Sequence, residues 1–291
     1  MISFSRQQRT LLGVARVDGF GYWSGQDVRV EFRPAPPDTG VVFCRADVGP
    51  ARRIPAVVRH RVEVPRRTSL REGGVRVDMV EHILAALAGL RIDNCEVHVD
   101  NPEMPGCDGS SQPFVAALDA VGTKPQPAAR KQLTVRRTLR VGDDRCWVEA
   151  RPILGQAMMA ECHIDYGPTG PIQRQSLTLA VTPESFRREL AAARTFILEE
   201  EAAWLRGQGL GARVTCRDLL VFDDSGPIDN PLRFPDECVR HKTLDLVGDL
   251  ALAGYDLAGH FVAHCSGHRL NAELVSLLLA EAAREGLART A

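Results

Sequence analysis

The chain has 291 residues, of which 44% are hydrophobic and 25% charged, and its formal net charge is −1. This balance is typical of a soluble globular protein, and it argues against a surface that binds nucleic acid or another polyanion. The length is comfortable for two domains, each with its own core.

The N-terminal stretch MISFSRQQRT lacks the continuous apolar core of a signal peptide. No later segment approaches the ~20 apolar residues that a membrane-spanning helix needs. The sequence therefore predicts a cytoplasmic protein without stable membrane insertion, and a monomer because no unusually apolar surface segment is evident.

The eight cysteines are scattered and form no C-x-x-C pair. Without a secretion signal, reduced core thiols are expected rather than disulfides or a thiolate zinc site.

The first half of the chain predicts short strands followed by helices. In chain order, we expect strands at 28–32 and 40–46, a helix from near Asp78 to about 90, a strand at 95–99 and a helix at 114–121. The Pro- and Lys-rich stretch GTKPQPAARK, residues 122–131, is the best candidate for a domain boundary.

The second half repeats this plan. Strands are expected at 133–141, 146–152, 156–166, 175–181, 218–222 and 260–266. Helices are expected at 185–193, capped by Thr182-Pro183-Glu184, at 199–209, from Cys238 to about Leu252, and at the C-terminus.

A short internal similarity relates the two halves. V-E-H-x-L-x-x-L-x-G from Val80 is similar to V-R-H-x-x-L-x-x-V-G from Val239, and each helix leads into a strand. The predicted fold is α+β, with two similar domains in which helices pack on a mainly antiparallel sheet. The domains are residues 1–125, with Glu81 and His82, and residues 126–291.

The helix from Cys238 carries polar residues along an otherwise apolar sequence. His241 and Asp245 are four residues apart, so both can approach one metal ion. On its own, this pair fits a solvent-facing stripe better than a metal site. Together with His82 on the other helix, it would complete the three ligands of a catalytic zinc site, with Glu81 as the candidate general base. Taken alone, Glu81 and His82 fit a surface residue and a satisfied core histidine better.

His268 follows Ser266-Gly267 at the end of a predicted strand, where it can project into a cleft. It could protonate a leaving amine if a carboxylate such as Asp249 raises its pKa. Lys242 points roughly 100° away from His241 and could meet an anionic part of a substrate, although a solvated lysine fits as well.

Motifs of several common enzyme classes are missing. The sequence contains no G-x-x-x-x-G-K-[ST], no strand-turn-helix G-x-G-x-x-G, no G-x-S-x-G and no H-E-x-x-H. These absences argue against P-loop and Rossmann nucleotide binding, common serine hydrolases and zinc peptidases.

Several long motifs, in this order, resemble the UDP-3-O-acyl-N-acetylglucosamine deacetylases, zinc enzymes of lipid A biosynthesis. They are RPAPPDTGVVFCRAD, VEHILAALAGLRIDNCEVHVDNPEMPGCDGSSQPFV, ARTF, LRFPDECVRHKTLDLVGDLALAG and SGHRLN. The resemblance implies two α+β domains with the active site between them. It also implies a small insert in each domain, the second at about 193–222.

The resemblance further implies a substrate, a metal and a role for each site residue. The substrate would be a UDP-linked, 3-O-acylated N-acetylglucosamine, and the metal Zn²⁺, although Fe²⁺ suits the same ligands. The implied roles are metal ligands His82, His241 and Asp245, general base Glu81, cationic acid His268 with Asp249, oxyanion donor Thr195, and substrate contacts Phe196 and Lys242.

An apolar passage for the acyl chain is also implied. Its expected lining residues are Ile197, Leu198, Ala202, Ala203 and Leu205.

Three positions depart from the family pattern. Trp23 stands where a His is usual, Ile197-Leu198 replace Gly-Phe after ARTF, and Cys265 replaces the Lys before SGH. These changes leave two alternatives open: a related zinc amidase acting on another N-acylated sugar, or a non-catalytic binding protein with the same fold.

Overall fold

The computed structural model describes residues 2–48 and 52–290. The strands of the first half are β1 Ile2–Leu11, β2 Ala15–Phe20, β3 Asp27–Pro34, β4 Val41–Arg45, β5 Arg52–Pro55, β6 Arg61–Val62, β7 Ser69–Glu72, β8 Val75–Asp78 and β9 Cys95–Val99. Those of the second half are β10 Thr123–Thr134, β11 Leu139–Gly142, β12 Trp147–Arg151, β13 Met158–Asp165, β14 Arg174–Ala180, β15 Phe196–Leu198, β16 Leu220–Asp223, β17 Gly226–Pro227 and β18 Asp256–His264.

The helices are α1 Glu81–Gly89, α2 Gln112–Val121, α3 Pro183–Ser185, α4 Glu199–Gly207, α5 Glu237–Leu250 and α6 His268–Thr290. A π-helical turn, Phe186–Leu190, extends α3. No helix within the described ranges combines the length and apolar character needed to cross a lipid bilayer.

The described strands form two larger and two smaller sheets. The first has five strands in the order β2-β3-β9-β4-β5, and the hairpin strands β6-β7-β8 form a small sheet beside it. The second has seven strands, β1-β10-β18-β12-β11 with β13 and β14 joined through β18. A further small sheet, β15-β16-β17, lies between α3 and α5 in the chain.

Helices α1 and α5 pack directly against each other, and α5 also packs on β13, β14 and α6. Their close approach depends on Gly248, where a Cβ atom would lie 2.2 Å from the carbonyl oxygen of Glu81. Because any side chain here would separate the helices, glycine allows residues of α5 to reach the N-terminus of α1.

Most predicted elements are present, with differences at three boundaries. Helix α1 begins at Glu81 rather than near Asp78, because residues up to Asp78 pair in β8 and Met79 has a positive φ of 59°. The strand expected at 133–141 is divided between β10 and β11. The helix expected at 185–193 is shorter, since α3 and its π-helical extension end at Leu190, and the cap predicted at Thr182 is present as a capping box with Ser185.

The segment 122–131, predicted as a domain boundary, lies mostly within β10. This strand pairs antiparallel with β1, and the two prolines are tolerated because the register shifts between Gln7 and Arg9. The fold is thus a mixed arrangement of helices and several sheets. The division at residue 125 and the two inserts stay predictions.

Candidate active site

A cavity of about 620 Å³ opens beside the N-terminus of α1 and the middle of α5. It is lined by most of the residues predicted from the sequence: Glu81, His82, Thr195, Phe196, Ile197, His241, Lys242, Asp245 and His268. Its volume is that of a small-molecule site.

His82, His241 and Asp245 bring their ligand atoms within 4.8 Å of one another, and all three side chains are buried. The Oδ1 atom of Asp245 lies 3.4 Å from Nε2 of His241 and 3.8 Å from Nε2 of His82. This Oδ1 is buried and has no hydrogen-bond partner among the described residues. A buried, unsatisfied carboxylate oxygen facing two imidazole nitrogens fits a divalent metal ion.

Neighbouring groups orient these candidate ligands. Nδ1 of His241 lies 3.1 Å from the carbonyl oxygen of Ala193, and a proton on Nδ1 leaves Nε2 free to bind a metal. Burial lowers the pKa of His82 to about 3, with the nearby His241 imidazole acting in the same direction, and burial also lowers the pKa of His241. Both imidazoles are therefore neutral, as metal ligands must be.

Asp245 is kept ionised by its neighbours. Burial would raise its pKa, but its interactions with the His241 imidazole and the Lys242 ammonium lower this pKa well below the ordinary range. Lys242 donates to Oδ2 of Asp245 at 2.6 Å. Burial would lower the pKa of Lys242, but the Asp245 carboxylate raises it above the ordinary value.

Glu81 is the first residue of α1 and is only 4% exposed. Its Oε2 accepts a hydrogen bond of 2.9 Å from the main-chain N–H of Thr68, and its Oε1 lies 4.0 Å from Nε2 of His268. Burial raises the pKa of Glu81 to about 7, while the charge of His268 opposes the rise. Such a carboxylate is suited to accept a proton near neutral pH.

His268 begins α6 and is paired with Asp249 on α5. Nδ1 of His268 lies 2.8 Å from Oδ2 of Asp249, which is fully buried. Burial would lower the pKa of His268, but the charge and the hydrogen bond of Asp249 raise it to about 9. The imidazole is thus protonated at neutral pH, and its Nε2 faces Glu81.

Asp249 receives two further hydrogen bonds that hold its orientation. Thr68 donates its hydroxyl to Oδ1 at 2.5 Å, and Asn271 donates to Oδ2 at 2.8 Å. Sequence reasoning missed both residues. Thr68 lies in no periodic pattern, and Asn271 looks like an ordinary polar residue near the start of a helix.

The segment from Thr195 to Leu198 borders the metal group. Thr195 is held by main-chain hydrogen bonds to Gly109 and Leu220, at 2.7 and 3.0 Å. The ring of Phe196 packs edge-on against His241, with centroids 6.5 Å apart. Thr195 and Phe196 therefore form the wall of the cavity beside the candidate ligands.

Part of the cavity wall beside this segment is apolar. Its apolar lining residues include Ile197, Ala202, Leu205, Leu210, Val214, Leu219 and Val221. Two of the residues expected there are placed elsewhere: Leu198 packs against the core, and Ala203 lies on the exposed side of α4.

The departures from the family pattern also face this cavity. Trp23 and Cys265 both line it, and the guanidinium of Arg67 lies over the Trp23 ring at 4.6 Å. Lys242 lines the cavity too, and its ammonium donates a hydrogen bond to Asp245.

A second group of metal-ligand side chains was not expected from the sequence. Cys44, Glu96 and His98 lie close together because β4 and β9 are neighbours in the sheet. Glu96 is already bonded to Arg53 at 2.6 Å and lies 3.0 Å from Nε2 of His98. The nearby guanidinium makes this group less suitable for a cation than the first.

Comparison with known proteins relates the whole chain to one family. The family model described as LpxC, UDP-3-O-acyl N-acetylglycosamine deacetylase, matches residues 8–280. The UDP-3-O-acyl-N-acetylglucosamine deacetylase of Myxococcus xanthus (strain DK1622) is 39% identical over 279 residues, which cover 95% of this chain and 88% of the relative.

Two deacetylases with the same name, from Shewanella sp. (strain W3-18-1) and Shewanella piezotolerans (strain WP3), are 38% and 37% identical over 278 residues. In each case the similarity covers 94% of this chain and 90% of the relative. The matched regions include nearly the whole fold and the cavity described above.

Proposed function

This chain belongs to the UDP-3-O-acyl-N-acetylglucosamine deacetylase family, and on that basis we propose the reaction that it catalyses. It hydrolyses the acetamide of UDP-3-O-(3-hydroxyacyl)-N-acetylglucosamine and releases acetate, an early step of lipid A biosynthesis. The observation that carries this proposal is the position of a base and an acid, Glu81 and His268, beside the three candidate metal ligands.

The proposed cofactor is Zn²⁺, held by His82, His241 and Asp245, with Fe²⁺ as an alternative for the same ligands. The unsatisfied Oδ1 of Asp245 and the free Nε2 of His241 support this assignment. When bound, the metal supplies Lewis acidity toward the amide carbonyl and toward water. Lys242 holds Oδ2 of Asp245, which leaves Oδ1 as the oxygen that would bind the metal.

Glu81 accepts a proton from the attacking water. The main-chain N–H of Thr68 fixes one carboxylate oxygen, which leaves Oε1 for this transfer. As the water oxygen bonds to the carbonyl carbon, negative charge develops on the carbonyl oxygen. The hydroxyl of Thr195 can donate a hydrogen bond to it.

His268 donates the proton that the leaving amine needs. Its Nδ1 is bonded to Asp249, so Nε2 is the nitrogen that faces the reaction. When the carbon–nitrogen bond breaks, the amine takes this proton and acetate remains. Glu81 and His268 thus perform separate base and acid roles, because the Glu81 carboxylate accepts a proton while the His268 imidazolium donates one.

The acyl chain of the substrate is proposed to enter the apolar passage beside Ile197 and Leu205. Burial of methylene groups there contributes about 0.8 kcal/mol for each CH₂. Phe196 is proposed to contact the sugar, since it lies between the passage and the metal group.

We also propose that the two halves form two domains, residues 1–125 and 126–291, with an insert at about 193–222. The grouping of β2 to β9 and of β10 to β18 in separate sheets supports this division. Strand β1 pairs with β10 in the second sheet, so this N-terminal strand would belong structurally to the second domain.

The test is an assay on purified protein with a measured metal content. Acetate release from UDP-3-O-(3-hydroxyacyl)-N-acetylglucosamine should vanish after chelation and return when Zn²⁺ is added. Stoichiometric zinc without turnover of this substrate would favour an amidase for another N-acylated sugar, which Trp23 and Cys265 in the cavity wall would then explain. Protein that binds no metal stoichiometrically would contradict both enzymatic alternatives.

A further inference from the structure

Thr68 uses each of its polar groups within the candidate active site, although it lies outside every motif in the sequence. Its main-chain N–H donates to Oε2 of Glu81 at 2.9 Å, and its hydroxyl donates to Oδ1 of Asp249 at 2.5 Å. Its carbonyl oxygen accepts a hydrogen bond of 3.2 Å from Val80, which immediately precedes α1. The residue is fully buried, so water does not compete for these contacts.

These contacts connect groups from distant parts of the chain. Thr68 precedes β7 and Glu81 follows β8, so both lie at the open end of this hairpin, where Ser69 pairs with Asp78, whereas Asp249 is on α5. Asp249 in turn bonds to Nδ1 of His268. One residue therefore contacts the base directly and the acid through a single intermediate carboxylate.

We propose that Thr68 is a positioning residue that fixes Glu81 and, through Asp249, His268 at the separation needed for amide hydrolysis. The inference rests on the proposed function. Asp249 can rotate about its side-chain bonds, and the Thr68 hydroxyl is the donor that holds Oδ1 while Oδ2 faces His268 and Asn271. Without it, the imidazole would lose its fixed direction, and displacements of this kind are costly for catalysis.

A substitution can remove the hydroxyl of Thr68 while keeping its main-chain hydrogen bond to Glu81. Thr68→Val keeps the N–H donor to Glu81 and nearly the same shape, but removes the donor to Asp249. We expect kcat to fall by about tenfold to a hundredfold, the range for loss of a hydrogen bond to a charged group. KM and metal stoichiometry should stay within about twofold, because Thr68 touches neither the substrate cavity nor a metal ligand, and Thr68→Ser should restore kcat.

Thr243→Val is the matched control. Thr243 is also fully buried, but its hydroxyl donates to the carbonyl oxygen of Val239 within α5. The same loss of a buried hydroxyl there should leave kcat unchanged. If Thr68→Val does not fold, Thr68→Ala serves in its place, compared again with Thr68→Ser.

A second measurement does not depend on turnover. The proton NMR resonance of the His268 Nδ1–H, which lies in the bond to Asp249, should move in Thr68→Val and stay in place in Thr243→Val. An unchanged resonance together with kcat equal to that of Thr243→Val would overturn the proposal. If the wild-type protein released no acetate, the proposed function would fail, while the resonance would still decide whether Thr68 positions His268 through Asp249.

Discussion

Replacing Asp249 with Asn tests the assignment of His268 as the catalytic acid. Asp249 is fully buried and lies 2.8 Å from Nδ1 of His268. Burial alone would lower the pKa of His268, and the Asp249 carboxylate, with smaller contributions from Glu81 and Asp245, instead raises it from 6.5 to about 9. In Asp249→Asn the charge is lost while the burial remains, so we expect the pKa of His268 to fall to 6.5 or below.

The size of the effect follows from this shift. The increase from 6.5 to about 9 corresponds to about 3 kcal/mol in favour of the imidazolium. At pH 8 the protonated fraction of His268 should fall by about thirtyfold in the variant, and kcat/KM should fall with it. The basic limb of the pH profile should move from about 9 to 6.5 or lower.

The same pair also affects stability, with a definite sign. The pKa of His268 is raised on folding, so its contribution is fully present below about 6.5 and is lost as pH rises through about 9. Thermal unfolding of the wild type should therefore show a loss of stability over this range of pH, and the variant should not show it.

The assay is kcat/KM for acetate release between about pH 6 and 10, at equal metal content. A double-mutant cycle with His268→Gln provides the control, because Asp249→Asn should cost nothing further once the imidazole is absent. A basic limb that stays near 9 in Asp249→Asn, or an undiminished second loss in the double variant, would refute the role of this pair.

Three other predictions concern the metal, the helix contact and the passage. Asp245→Ala should reduce metal stoichiometry on dialysis, whereas Glu81→Ala should keep the metal and lose about 10²- to 10⁴-fold in kcat; full activity in both would contradict the mechanism. Gly248→Ala should destabilise the protein by about 1–3 kcal/mol and weaken metal binding, because its Cβ would lie 2.2 Å from the Glu81 carbonyl oxygen. The control is Gly207→Ala on α4, where a Cβ meets no atom within 4 Å; calorimetry should show no loss in the free energy of unfolding. Leu205→Asp should raise KM for an acylated substrate by about tenfold without changing metal content, and Trp204→Asp, at a side chain 61% exposed, should not; equal KM values would contradict the acyl passage.

Regular spacing and motif order made much of this fold predictable. Strand β9 and helix α5 follow from the alternation of residues 95–99 and from the apolar positions after Cys238. The start of α1 was misplaced because nothing local shows that Asp78 pairs with Ser69 across a hairpin. Likewise, the prolines of β10 suggested a linker, and only the distant strand β1 accounts for their extended backbone.

The candidate metal ligands and the acid–base pair could be predicted from the sequence, because ionisable residues stand out in an otherwise apolar helix. Thr68 could not be predicted, since its role depends on contacts across the hairpin and with α5. For Lys242 the substrate contact stays a prediction, and the sequence did not show that its ammonium also bonds to Asp245. Side-chain direction of this kind is decided by tertiary packing.

The contact between α1 and α5 at Gly248 has a consequence for how the protein is made. His82 leaves the ribosome early, while the other two candidate ligands arrive with α5 and Asp249's partner His268 arrives later still. A growing chain therefore offers a metal ion only one of the three ligands until the second half has folded onto the first. With the proposed ligand set, metal acquisition belongs to the last steps of biogenesis, and a chain truncated before α5 should compete poorly for a metal ion in the cell.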